Sequence, residues 1–176
     1  MLFAISFIVI EGSTVIIIYD VTIASDMTAD HKDHPKFIDV VSEECTPYLD
    51  KIEELYDAPF IRELGIEVGS VSLEEISLYL DIQPKHINSR GFVHGGVIYT
   101  LMDHSLAFAS NLCGEAVGQS SNVIYHRPVK EGRLISKLTI INKSKSLLVY
   151  DVKVLCNGKL IASSTMTAFR LSDDRR

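Results

Sequence analysis

Two hydrophobic rhythms divide this chain. Ile76, Leu78, Leu80 and Ile82 fall on every second position, the period of a half-buried strand, and 65–72 alternates in the same way, so 65–72 and 75–82 are expected to form an antiparallel pair. Residues 97–112 break that rhythm. Val97, Ile98, Leu101, Met102, Leu106, Ala107, Phe108, Ala109 and Leu112 surround a helix that reads as wrapped on most sides, with Gly114 as its stop. Alternation then returns in 120–128, 133–142, 147–156 and 160–171, and Asn157-Gly158 is the signal for a tight hairpin. The short links predict that these four strands are antiparallel neighbours. Upstream, Phe37, Val40, Val41, Cys45, Leu49, Ile52 and Leu55 recur at mostly three- or four-residue spacing, and Pro47 divides them into two short helices. One long apolar helix against one curved antiparallel sheet is an α+β arrangement.

A chain of 176 residues suits one core, and its 47% apolar share hints that some of that surface is covered by other subunits. With 23 acidic and 17 basic residues the net charge is -6, the wrong sign for a nucleic-acid partner. Cys45, Cys113 and Cys156 lie far apart without metal-ligand spacing, and they read as buried thiols in a reducing, cytoplasmic setting, a mitochondrial one being left open. The apolar run from Met1 is interrupted at Glu11 and Gly12 and has no preceding Lys or Arg, so no stable membrane span is expected. Residues 1–26 are taken as an extension of doubtful role, 27–60 as a helical segment and 61–172 as the working domain. His31 and His34 sit in the polar stretch before the helices, and two histidines make no complete metal site.

The chemistry concentrates in 88–103. Gly95 and Gly96 stand at the mouth of the apolar helix, where the backbone can approach a ligand and the free N–H groups of the first turn favour a developing oxyanion. Two turns further in, Asp103 places a carboxylate on a wrapped helix, which is costly without a partner or a task. There is no Gly-x-Ser-x-Gly elbow, no cysteine signature, no phosphate loop and no dinucleotide fingerprint. General-base chemistry remains, with the glycine amides polarising a carbonyl and Asp103 activating water.

Asn88, Gly91, His94, Gly95, Gly96 and Asp103 together resemble the signature of the hotdog-fold acyl-CoA thioesterases of the phenylacetic-acid-degradation type. The resemblance spans roughly 61–171. It implies a hotdog fold, in which a long central helix is wrapped by a curved antiparallel sheet. It also implies that the Gly95 amide serves the oxyanion, that Asp103 is general base or nucleophile, that Asn88 positions the attacking water and that His94 supports the loop or the carbonyl. The family's Ser or Thr on the following strand falls nearest Gly118, so Ser120 is the available candidate and the pattern is departed from. Arg90, Arg127, Lys130, Lys143 and Lys145 are candidates for coenzyme A phosphates, and Gly96, Arg90 and Ser120 are expected to bind substrate.

The sequence therefore reads as an acyl-CoA thioesterase that needs no metal and no cofactor beyond the coenzyme A of its substrate. A non-catalytic acyl-thioester binder is the alternative, and a hydratase on the same fold would want an Asp/His dyad on the loop before the helix, which is absent. Nine residues separate His94 from Asp103, roughly 13 Å along a helix, so one subunit is not expected to complete the site. A homodimer, or a dimer of dimers, is expected.

Overall fold

The computed structural model describes residues 35–171. Six strands form in chain order: β1 (Ile66–Val71), β2 (Glu75–Asp81), β3 (Ala116–Tyr125), β4 (Arg133–Lys143), β5 (Leu147–Cys156) and β6 (Lys159–Arg170). They make one antiparallel sheet in the order β1-β2-β4-β5-β6-β3. The hairpins β1/β2, β4/β5 and β5/β6 join neighbours, the last through Asn157 (φ 49°) and Gly158 (φ 72°), the paired left-handed conformations that such a turn requires. The expectation that all four later strands are sequential neighbours does not hold for β3. It pairs with β6 at the far edge, while β4 pairs with β2 from Glu75 opposite Thr139 to Asp81 opposite Arg133. β3 also begins four residues earlier and ends three earlier than alternation suggests.

The reason lies in the helix between them. Helix α4 (Gly95–Asn111) is long enough to cross the sheet, so the chain leaves β2 near one edge and re-enters beyond β6. Leu101, Met102 and Phe108 of α4 pack with Leu78, Leu134, Leu138, Val152 and Met166 in one core, each such burial contributing about 1.5–3 kcal/mol. Ser105 Oγ lies 2.8 Å from both Leu101 O and Ser136 Oγ, a satisfied polar link between α4 and β4.

The N-terminal segment joins the same core. It holds a helical turn α1 (Pro35–Ile38), a 3-10 turn (Glu43–Tyr48) containing Pro47, α2 (Leu49–Tyr56) and α3 (Pro59–Leu64). The last of these is not expected from spacing; Pro59 opens it and Gly65 closes it in the left-handed conformation at φ 76°. Phe37, Cys45, Ile52, Tyr56 and Ile61 are buried with the strands. The segment also covers the β1 edge, where Val71 N–H donates to Val40 O and Ser42 N–H to Val71 O. Cys45 and Cys156 are buried as expected, but Cys113 is exposed; all three are free thiols. Residues 1–26, His31 and His34 lie outside the described residues. Among the described residues no helix is long and apolar enough to cross a membrane.

Candidate active site

The loop before α4 is built on Asn88. Its side-chain oxygen accepts from Arg90 N–H (2.8 Å) and Phe92 N–H (3.3 Å), and Gly91 closes the turn at φ 77°, where a side chain would be strained. This uses the Asn88 oxygen and leaves its amide nitrogen without a protein partner among the described residues, available to donate. The loop is held from beneath by His86, fully buried, whose backbone carbonyl accepts from His94 N–H at 2.8 Å. The His86 ring has both nitrogens occupied: Nδ1 accepts from Gln83 N–H and Nε2 faces Leu64 O at 2.9 Å. Burial pushes its pKa down, so the neutral ring is the structural one.

His94 is the N-cap of α4. Its Nδ1 accepts from Gly96 N–H at 2.9 Å, which places the lone pair on Nδ1 and the ring proton on Nε2. The two glycines therefore differ. The Gly96 amide is spent on the cap, whereas the Gly95 N–H has no acceptor among the described residues and remains open at the helix mouth. Gly96, expected to contact substrate, uses its amide within the chain, and its lack of a side chain gives room to the His94 ring, because a Cβ there would stand 3.2 Å from Nδ1.

Gly95 opens on a cleft of about 440 Å³ lined by Asn88, Arg90, Phe92, Ile98, Tyr125 and Arg127, among others. Asn88, Gly95 and Arg90 thus share one cleft. Arg127, a candidate for a coenzyme A phosphate, lines it too, as do Tyr125 and His126, whose one sequence signal is a Tyr-His-Arg run before Pro128. Arg127 donates to Leu160 O (2.8 Å) and Lys130 lies 4.8 Å above the Phe92 ring, so both have structural duties as well. Lys143 and Lys145 do not line this cleft.

Asp103 does not line it either. Helix α4 is wrapped on most sides, but Gly96, Tyr99 and Asp103, at three- and four-residue steps, leave one face of it exposed. The Asp103 carboxyl is open to solvent yet its pKa is raised, because the walls around it remove part of its hydration. One wall is Gly118, whose absent Cβ would stand 4.0 Å from Asp103 Oδ1 and 3.5 Å from Leu106 Cδ2. Ser120 turns the other way. The pairing of β3 with β6 slips between Gly118 and Ser120, and the extra residue, Gln119, sends Ser120 to the outer face, where its Oγ lies 2.8 Å from Thr167 Oγ1. Ser121 faces the helix instead, 3.1 Å from the Tyr99 hydroxyl. On the buried side, His104 is next to Asp103 in sequence but hydrogen-bonded to the Leu55 backbone, and burial pushes its pKa down to about 4.

The comparisons with known proteins agree with this architecture. Residues 90–161, which include Gly95 and Asp103, match the thioesterase superfamily. A provisionally named esterase of Archaeoglobus fulgidus is 31% identical over 129 residues, 71% of this chain and 78% of its own. Human acyl-coenzyme A thioesterase 13 is 29% identical over 116 residues, 61% of this chain and 82% of its own. A variant of the phenylacetic acid degradation protein PaaI from Thermus thermophilus superposes with a TM-score of 0.62 at 35% identity, over 64% of this chain and 99% of that one. An α4 laid across a six-stranded antiparallel sheet, with this sequence similarity, defines the class: the chain belongs to the thioesterase superfamily and has the α+β hotdog fold of its PaaI-like members.

Proposed function

We propose that the protein is a thioester hydrolase that cleaves acyl or aryl coenzyme A thioesters to the free acid and coenzyme A. The observation that carries this reading is the unpartnered Gly95 N–H at the N-terminus of a 17-residue helix, opening on a cleft that also holds Asn88. A thioester carbonyl oxygen set there gains a hydrogen bond and the positive end of the helix dipole as negative charge develops on it. Water held by the Asn88 amide attacks the carbonyl carbon. A carboxylate takes the water proton, and the coenzyme A thiolate leaves without needing a strong acid. Arg90 at the rim suits a phosphate of the leaving group. No step calls for a metal or further cofactor.

Asp103 is the carboxylate for that step, and the same chain does not supply it to this cleft. Nine residues of helix separate it from the His94 cap by roughly 13 Å, and its face of α4 is open. The companion of that face is β3, exposed along almost its whole length, with its outer edge unpaired among the described residues. A second copy of the chain, related by a two-fold axis, would cover both and set the Asp103 of each protomer beside the Gly95 of the other, two composite sites per dimer.

Thiol release from a panel of acyl- and aryl-CoA esters tests the activity. Turnover of at least one ester without added metal is the expected result. Tight binding of esters with no turnover would replace hydrolysis by a carrier role.

A further inference from the structure

The Gly95–Gly96 peptide is gripped at both ends. Its N–H, carried by Gly96, donates to His94 Nδ1 at 2.9 Å, and its carbonyl, carried by Gly95, accepts from the Tyr125 hydroxyl at 3.1 Å. The Tyr125 ring also lies against Gly95, where a Cβ would meet its Cζ at 3.4 Å and its hydroxyl at 3.5 Å. Tyr125 comes from β3, thirty residues away in sequence, and its ring forms part of the cleft wall.

We propose that Tyr125 is a positioning residue for thioester hydrolysis: with His94 it clamps the Gly95–Gly96 peptide plane, and so fixes the direction of the neighbouring Gly95 N–H that receives the oxyanion. This rests on the thioesterase reading above. The first peptides of a helix have no helical partner for their N–H groups; the His94–Gly95 peptide is held through its carbonyl, which accepts from Val97 N–H (3.0 Å) and Ile98 N–H (3.4 Å), and a glycine pair beside it keeps freedom that a second hold removes. An oxyanion donor works by being aimed before charge develops, and reorienting it during the reaction forfeits part of its benefit. The two bonds also run in one direction, from the Tyr125 O–H through the peptide to Nδ1, so each polarises the other. The same chain of donors holds the His94 proton on Nε2. A ring at position 125 fills space in the cleft, but only its hydroxyl completes the clamp.

Tyr125→Phe keeps the ring and removes the hydroxyl. Steady-state kinetics on the best ester of the panel should show kcat lower by roughly tenfold with KM within about twofold, the split expected when donor alignment and not substrate binding is lost. Isotope-edited NMR of the free protein supplies a second readout independent of turnover: the Gly95 carbonyl carbon and the His94 Nδ1 should both shift in Tyr125→Phe. Wild-type kcat, or a raised KM with kcat unchanged, would make Tyr125 a wall of the cleft and overturn the proposal. If no ester is turned over by the wild-type protein, the thioesterase reading is what fails. Unmoved Gly95 and His94 resonances would sink the clamp itself.

Discussion

The Gly96 N–H donates to Nδ1 of His94, so the helix that carries the candidate chemistry is capped by an imidazole and not by the usual hydroxyl or carboxylate. The cap works only while Nδ1 keeps its lone pair. His94→Ala should cost about 1 kcal/mol in urea unfolding and lower turnover, whereas His94→Asn, a good N-cap, should recover most of the stability. Equal losses in the two variants would show that capping is not what His94 contributes.

Asp103→Asn tests the base. With no hydrogen-bond partner among the described residues to lose, the fold should stand, and kcat should fall on the order of 100-fold or more. The raised pKa fixes two signs. The base must be ionised, so kcat/KM should rise with pH through an acid limb above the ordinary aspartate range. Because the folded pKa lies above the unfolded one, the folded state binds more protons between them, and Asp103 loses the protein stability as pH rises through that window. Asp103→Asn should therefore be slightly more stable than wild type at neutral pH. A pH profile with the same acid limb in both proteins would assign that limb to another group.

Gly118 offers a finer probe of the same carboxylate. In Gly118→Ser the new hydroxyl would extend from a Cβ 4.0 Å from Asp103 Oδ1, within reach of a hydrogen bond to the charged form. The substitution should move the acid limb of kcat/KM to lower pH, and an unmoved limb would mean that the two groups do not meet.

Complementation tests the shared site. Chains carrying Asp103→Ala and chains carrying both Asn88→Ala and Gly95→Ala should each be inactive. Mixed at random, half the dimers are hybrids with one intact site of two, so about a quarter of wild-type activity should return. Hybrids confirmed by mass but without activity would place the whole site in one chain.

Acid should weaken the fold through His104. Its pKa is pushed down to about 4 by burial, from 6.5 in the unfolded chain, so the unfolded state binds the proton first. Stability should be flat above about pH 6.5 and fall by up to about 3 kcal/mol as pH drops toward 4, with buried His86 contributing in the same direction. Replacing His104 by Phe would keep a ring against Phe108 and should flatten that slope, read as urea midpoints across the pH series. An unchanged slope would assign the acid sensitivity elsewhere.

Much of this is legible in the residues themselves because it is local. Alternation at Ile76, Leu78 and Leu80 needs only the two-residue period of a strand, Asn157-Gly158 needs only left-handed backbone, and Gly95-Gly96 before an apolar run needs only a helix mouth. The constellation from Asn88 to Asp103 lies within one loop and one helix, so spacing alone carries it.

What tertiary structure decided is whatever depends on neighbours distant in sequence. Alternation could not say that β3 would pair with β6 and not β4, because that follows from how far α4 carries the chain. One bulged residue at Gln119 reversed the faces of Ser120 and Ser121, since side chains in a strand alternate and a single insertion flips all that follow. Apolar content around α4 predicted wrapping on most sides, but it could not say which stripe would stay open, because composition does not tell which face of a helix the sheet covers. Tyr125 could be linked to Gly95 only by the fold, which brings a strand across thirty residues to one carbonyl oxygen.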